Sequence, residues 1–241
     1  MKNFWWIVIA VFGFLILAVI LNNDNYLSDS PEFPSSRSFE MGNLPVPKQP
    51  ITTESWTETF DYIAEGGEVI LIQVHLDWEA FVATTEPDGG SAILKTVEFV
   101  SEMAEQRDLE LFIVVDYRGG EGIDAPASVG EDFSDPEVRS AFENFAVRLA
   151  KDYKPKYIGL GSEVNTYMKN NPEDAQNLVS LIVETKSKIK TFSQDTIITS
   201  TIQYEELITE DEWDSLELIE PTVDMIAITT YPSLWYDSPS E

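Results

Sequence analysis

The sequence predicts a parallel α/β fold of the (β/α)8 TIM-barrel type, with about six βα units present. Short apolar runs alternate with longer amphipathic stretches, and the alternation recurs six times at roughly 30 to 45 residues. No Gly-rich phosphate loop follows the first run, where Gly42 stands alone. That weakens the competing architecture, an open doubly wound sheet.

Phe39 to Val46 reads as a weak first strand, cut off by Pro45 and Pro47. Thr53 then caps a helix with Trp56, Phe60 and Ile63 on one face, which Gly66-Gly67 stops. Glu68 to Leu76 is a second strand; Val69, Ile70, Leu71, Ile72 and Val74 are nearly continuous, as in strands covered on both faces. Ser91 opens a helix through Gln106, and Leu109 to Val115 forms a third strand ending on Asp116 and Tyr117. Ser134-Asp-Pro-Glu137 has the capping-box pattern, and Val138, Phe142, Phe145 and Leu149 make one apolar stripe behind it. Tyr157 to Gly161 is the fourth strand. Asn171-Pro172 starts a helix that turns Leu178, Ile182 and Ile189 inward, and Thr196 to Ile202 is the fifth strand. Thr209-x-x-Glu212 caps a short helix carrying Trp213 and Leu216, and Val223 to Thr230 is a sixth strand running into Tyr231-Pro232.

Ahead of this domain, residues 4–21 form an unbroken apolar run, preceded by Lys2 and followed by Asn22, Asn23 and Asp24. The expected organisation is a signal anchor or transmembrane segment over 1–21, a flexible Ser/Pro/Asn linker over 22–38 and a partial barrel over 39–241. The run lies at the lower end of bilayer-spanning length and no Ala-x-Ala site follows it, so an uncleaved anchor is favoured over a cleaved signal. Lys2 puts the N-terminus in the cytoplasm and the domain outside. The protein is thus expected to be membrane-anchored and extracytoplasmic, or secreted if the segment is cleaved.

Composition removes several function classes. The chain has no cysteine, which excludes disulfides, thiolate metal sites and cysteine nucleophiles, and its one histidine argues against a metal centre. A formal charge of −28 repels phosphate backbones, so nucleic acid is not an expected partner. A full barrel takes about 250 residues, so two units are expected to be missing, leaving the first and sixth strands as apolar edges.

In such folds ligands meet the C-terminal ends of the strands. There the chain carries His75, Asp77 and Trp78; Asp116, Tyr117 and Arg118; Ser162, Glu163 and Asn165; Gln203 and Tyr204; and Tyr231, Trp235 and Tyr236. Carboxylates beside aromatic faces suit the hydroxyl edges and C–H faces of sugars. Each residue also has a structural reading: Glu163 pairing with Arg118, His75 as a hydrogen-bonded framework group, Asp116 capping its loop, Trp78 and Trp235 as packing. The acidic residues Glu205-Glu206 and Glu210 to Glu212 read as helix-start charge.

Gly161-Ser-Glu-Val-Asn165 is similar to the Gly-Asn-Glu-Val-Asn of clan A glycoside hydrolases, particularly endo-β-1,4-galactanase-like barrels, and Thr229-Thr-Tyr-Pro232 resembles their sixth-strand Tyr-Pro ending. The resemblance implies hydrolysis of β-glycosidic bonds in polysaccharides by a retaining two-carboxylate mechanism that needs no cofactor. Glu163 carries over as general acid/base and Tyr231 as an aromatic that orients the carboxylates. The nucleophile, a glutamate at the end of a seventh strand, would lie beyond this chain. Ser162 stands where the family has an Asn that bonds a sugar hydroxyl. The candidate substrate-binding set is Ser162, Asn165, Asp116, Tyr231, His75, Trp78, Gln203 and Trp235, with an oligosaccharide or polysaccharide as partner. The alternative is a non-catalytic extracellular barrel that binds glycan or protein.

Overall fold

The computed structural model describes residues 39–87, 91–119 and 122–231. Glu40–Thr230 form one compact unit.

All six expected strands are present. In chain order they are β1 (Gly42–Asn43), β2 (Val69–His75) and β3 (Glu110–Asp116), then, after a separate antiparallel hairpin of β4 (Arg118–Gly119) and β5 (Gly122–Ile123), β6 (Tyr157–Leu160), β7 (Ile197–Gln203) and β8 (Met225–Thr229). The sheet is wholly parallel, ordered β1-β2-β3-β6-β7-β8. Every crossover therefore steps one strand in the same direction. A doubly wound sheet reverses its order midway; this one curls as half of a TIM-type barrel. Pairing of His75 with Asp116 and of Gln203 with Thr229 brings neighbouring strand ends level at one rim.

The helices are α1 (Thr53–Gly66), α2 (Trp78–Phe81), α3 (Ala92–Glu105), α4 (Pro136–Tyr153), α5 (Val164–Asn170), α6 (Ala175–Lys190), α7 (Tyr204–Thr209) and α8 (Trp213–Ile219). In α4 the stripe Val138, Phe142, Phe145 and Leu149 is wholly buried, as are Leu178, Ile182 and Ile189 of α6. Each such side chain stabilises the fold by roughly 1.5–3 kcal/mol relative to exposure. Ser91 caps α3 as its position suggests, its hydroxyl accepting from Ile93 N.

Local signals were displaced in four places. Thr52, not Thr53, caps α1, exchanging hydrogen bonds with Ser55 in a closed capping box. At α4 the box does not form: Asp135 is the N-cap, and its carboxylate instead accepts the Glu131 N–H. Asn171-Pro172 is followed by a turn, and α6 starts at Ala175. Thr209 ends α7 rather than starting α8, because its hydroxyl bonds back to Glu205 O, and Trp213 turns outward at 44% exposure.

β1 and β8 are the edges of the sheet among the described residues, and Met225 and Ile228 on β8 are exposed. Among those residues no helix is long and apolar enough to cross a membrane. The anchor over 1–21 and the linker over 22–38 lie outside them.

Candidate functional site at the strand-end rim

The centre of the rim is Glu163, and the backbone that carries it is unusual. Gly161 sits at φ +116°, where an added Cβ would lie 2.6 Å from Val164 Cγ1. Two residues on, Glu163 adopts the left-handed conformation at φ +49° before α5 begins. Non-glycine residues in this region carry strain, which tertiary contacts must overcome. Here the Glu163 N–H donates to Thr201 Oγ1 on β7 at 2.6 Å. The carboxylate, 8% exposed, accepts from Thr229 Oγ1 on β8 at 2.9 Å through Oε1 and pairs with Arg118 Nη2 at 2.8 Å through Oε2. The pairing with Arg118 is the structural role that the sequence allowed for this acid. It coexists with a position facing the rim.

Beside it, Asp116 ends β3, also buried. Its Oδ1 accepts the Arg118 N–H at 3.1 Å, capping the turn into the hairpin, and its Oδ2 accepts from Gln73 Nε2 at 2.7 Å. His75 Nε2 lies 3.7 Å from the same Oδ2, and His75 Nδ1 lies 3.9 Å from Asp124 Oδ2. The imidazole is open to solvent between two carboxylates. Burial pushes the Asp124 carboxyl above the usual carboxylate range, opposed by the Trp78 indole N–H donating to it at 2.6 Å and by His75. Ser162 is buried with its hydroxyl accepting from Gln73 at 3.3 Å. Glu163, Asp116, His75 and Ser162 thus form one connected constellation.

Three expected substrate-binding residues serve the framework instead. Trp78 packs in the core against the hairpin side and is 4% exposed, so its ring offers no open face to a sugar. Asn165 and Gln203 are buried and bonded to each other: Asn165 Nδ2 donates to Gln203 O, and Gln203 N donates to Asn165 Oδ1. The Gln203 side chain caps α7 by accepting from Glu206 N. These bonds tie α5 to the end of β7 and hold the turn that bears Glu163. Tyr231 is not part of the Glu40–Thr230 unit, and Trp235 lies outside the described residues.

Sequence reasoning missed Gln73, Thr201, Thr229, Asp124 and Glu205. A polar Gln73 inside the run Val69–Val74 was a readable sign of an inward-facing site position. Glu205, taken as helix-start charge, is buried, and its Oε1 accepts from Thr230 Oγ1 at 2.5 Å. A third buried carboxylate, beside those of Glu163 and Asp116, is therefore drawn into the same rim. Among the described residues no group of three or more His, Asp or Glu side chains is placed to hold a metal ion.

No protein-family model matches the chain, and no curated protein does. Solved structures do. The exo-β-1,4-mannosidase Op5Man5 from Opitutaceae bacterium strain TAV5 is 16% identical with a TM-score of 0.56, over 78% of this chain and 37% of that one. An endo-1,4-β-mannanase from Eisenia fetida is 12% identical with a TM-score of 0.50, over 79% and 67%. A calcium-binding mutant of Bacteroides uniformis β-glucuronidase 2 is 9% identical with a TM-score of 0.50, over 78% and 20%. The chain thus spans little more than a third of the mannosidase. At these identities the likeness concerns fold: a parallel, TIM-barrel-like half-barrel of six strands.

Proposed function

We propose that the chain is the acid/base-bearing part of a glycoside hydrolase acting on β-linked polysaccharide, β-1,4-mannan being the first candidate and glucans and galactans the next. The observation that carries this reading is Glu163: a strained, nearly buried glutamate at the C-terminal end of a barrel strand, oriented by groups from three other segments. Glu163 would protonate the glycosidic oxygen and later deprotonate water. The similar exo-β-1,4-mannosidase and endo-1,4-β-mannanase support the substrate class. The apolar N-terminal run supports an exported, membrane-tethered setting.

Hydrolysis of β-1,4-mannan by the intact protein is expected to fall by about 10²–10⁴-fold in Glu163→Gln, with the fold retained by circular dichroism. Undiminished turnover in that variant would remove Glu163 from the chemistry. One feature favours a second reading, glycan binding without hydrolysis: the Ser162 hydroxyl, standing where the related family has an amide, is taken up by Gln73. Under it, mannan-oligosaccharide affinity survives in Glu163→Gln while no hydrolysis is seen in either protein.

A further inference from the structure

We propose that Arg118 is a two-position switch that covers Glu163 in the unliganded protein and uncovers it by moving onto Asp116. This deepens the reading of Glu163 as the reactive acid and rests on it. Both oxygens of Glu163 are engaged, Oε1 by Thr229 and Oε2 by Arg118 Nη2. A glycosidic oxygen has to come within about 3 Å of a carboxyl oxygen to exchange a proton, so a sugar and the guanidinium compete for Oε2. Thr229 is anchored in the sheet through β8. Arg118 extends from a two-residue strand outside the sheet and is the partner able to leave.

A second seat is already built. Arg118 Nε is buried and makes no hydrogen bond among the described residues, yet it lies 3.8 Å from Asp116 Oδ1. That is too long for a hydrogen bond and short enough for a side-chain rotation to make one. Asp116 is itself immobilised, by the Arg118 N–H on Oδ1 and by Gln73 on Oδ2. A guanidinium has five donors in a planar fork and so can trade one carboxylate for another without losing its charge partner. The partly buried cation is never left unpaired, which keeps the exchange inexpensive. Arg118 is thus a positioning residue: it sets when Glu163 is open, and a sugar hydroxyl entering the rim takes its place.

The switch can be read without any sugar, by amidating the full chain with a carbodiimide and glycinamide and following the peptide containing Glu163 by mass spectrometry. Arg118→Met is expected to speed labelling of Glu163 about tenfold, the cover being gone. Asp116→Asn is expected to slow it about twofold or more below wild type, because the second seat is weakened. Arg118→Lys, which keeps the charge but not the fork, falls between wild type and Arg118→Met and serves if the methionine variant does not fold. Equal labelling in wild type and either Arg118 variant overturns the proposal, and so does unchanged or faster labelling in Asp116→Asn. Binding of manno-oligosaccharide is the separate arm. Tighter binding in Arg118→Met accords with the cover, whereas loss of binding makes Arg118 a sugar ligand and overturns it. Labelling that shifts as stated, with no β-glycan bound by any variant, sinks the glycosidase reading and leaves the switch standing.

Discussion

At the scale of single residues, the turn from Gly161 to Glu163 places two positive-φ residues at the centre of the rim. Gly161 is at a φ that only glycine adopts freely, and a methyl group there would meet Val164 and the ring of Tyr117. Gly161→Ala is expected to cost about 2 kcal/mol or more in urea denaturation and to disturb the Glu163–Arg118 pair. Below the turn, Tyr117 is fully buried among Phe133, Phe142 and Tyr167, and burial pushes its phenol well above the usual range. Its hydroxyl is buried without a hydrogen-bond partner among the described residues. An unsatisfied buried hydroxyl contributes nothing to offset its desolvation, so Tyr117→Phe is expected to leave the unfolding free energy equal or higher. A clear loss of stability would show that the hydroxyl is satisfied after all.

At the scale of elements, two junctions stand out. The helix α4 ends on Lys154 in the left-handed region at φ +43°, followed by Pro155. Lys154→Gly is expected to raise stability by about 1 kcal/mol, measurable as a higher melting temperature. The second junction is Asp224, just before β8. Burial opposes its ionisation, but Lys186 and Lys190 of α6 and the Ile198 N–H outweigh this and hold its carboxyl at about 2, below the ordinary 3.8. A depressed carboxyl contributes stability above its unfolded value and loses it as pH falls through the folded one. The wild type should therefore weaken between about pH 4 and pH 2, and Asp224→Asn should show a shallower decline over that window in acid-side denaturation curves. The six sheet strands were legible in the sequence as apolar runs at regular intervals, and α4 and α6 as apolar stripes at helical spacing. The helices α2, α5 and α7, of four to seven residues, were too short for a 3.6-residue stripe to emerge, and the two-residue strands of the β4–β5 hairpin carry no apolar run. In the site, Glu163 and Asp116 stood out because each is an acid closing an apolar run. Thr201 and Thr229 could not be found that way, since β-branched hydroxyls inside strands read as ordinary sheet formers.

At the scale of the whole molecule, charge and topology set behaviour. A formal charge of −28 on 241 residues makes the folded surface repel itself. Raising salt shortens the screening length from about 10 Å at 0.1 M to about 3 Å at 1 M, so the melting temperature is expected to climb over that range. A fall would mean that surface ion pairs such as Lys186–Asp224 dominate over the net field. The barrel-like class was legible because the order of apolar runs is also the order of strands in the sheet. The bonds that orient Glu163, apart from its pairing with Arg118, were not, because they join segments far apart in sequence, such as Thr229 to Glu163. That separation orders events in time. Glu163 takes its N–H partner from Thr201 and a carboxylate partner from Thr229, 38 and 66 residues later in the chain. At about 5–20 residues per second of synthesis, roughly 3–13 s pass between the emergence of the acid and that of the hydroxyl that orients it. For that interval a nascent chain carries the acid without the two threonines that aim it.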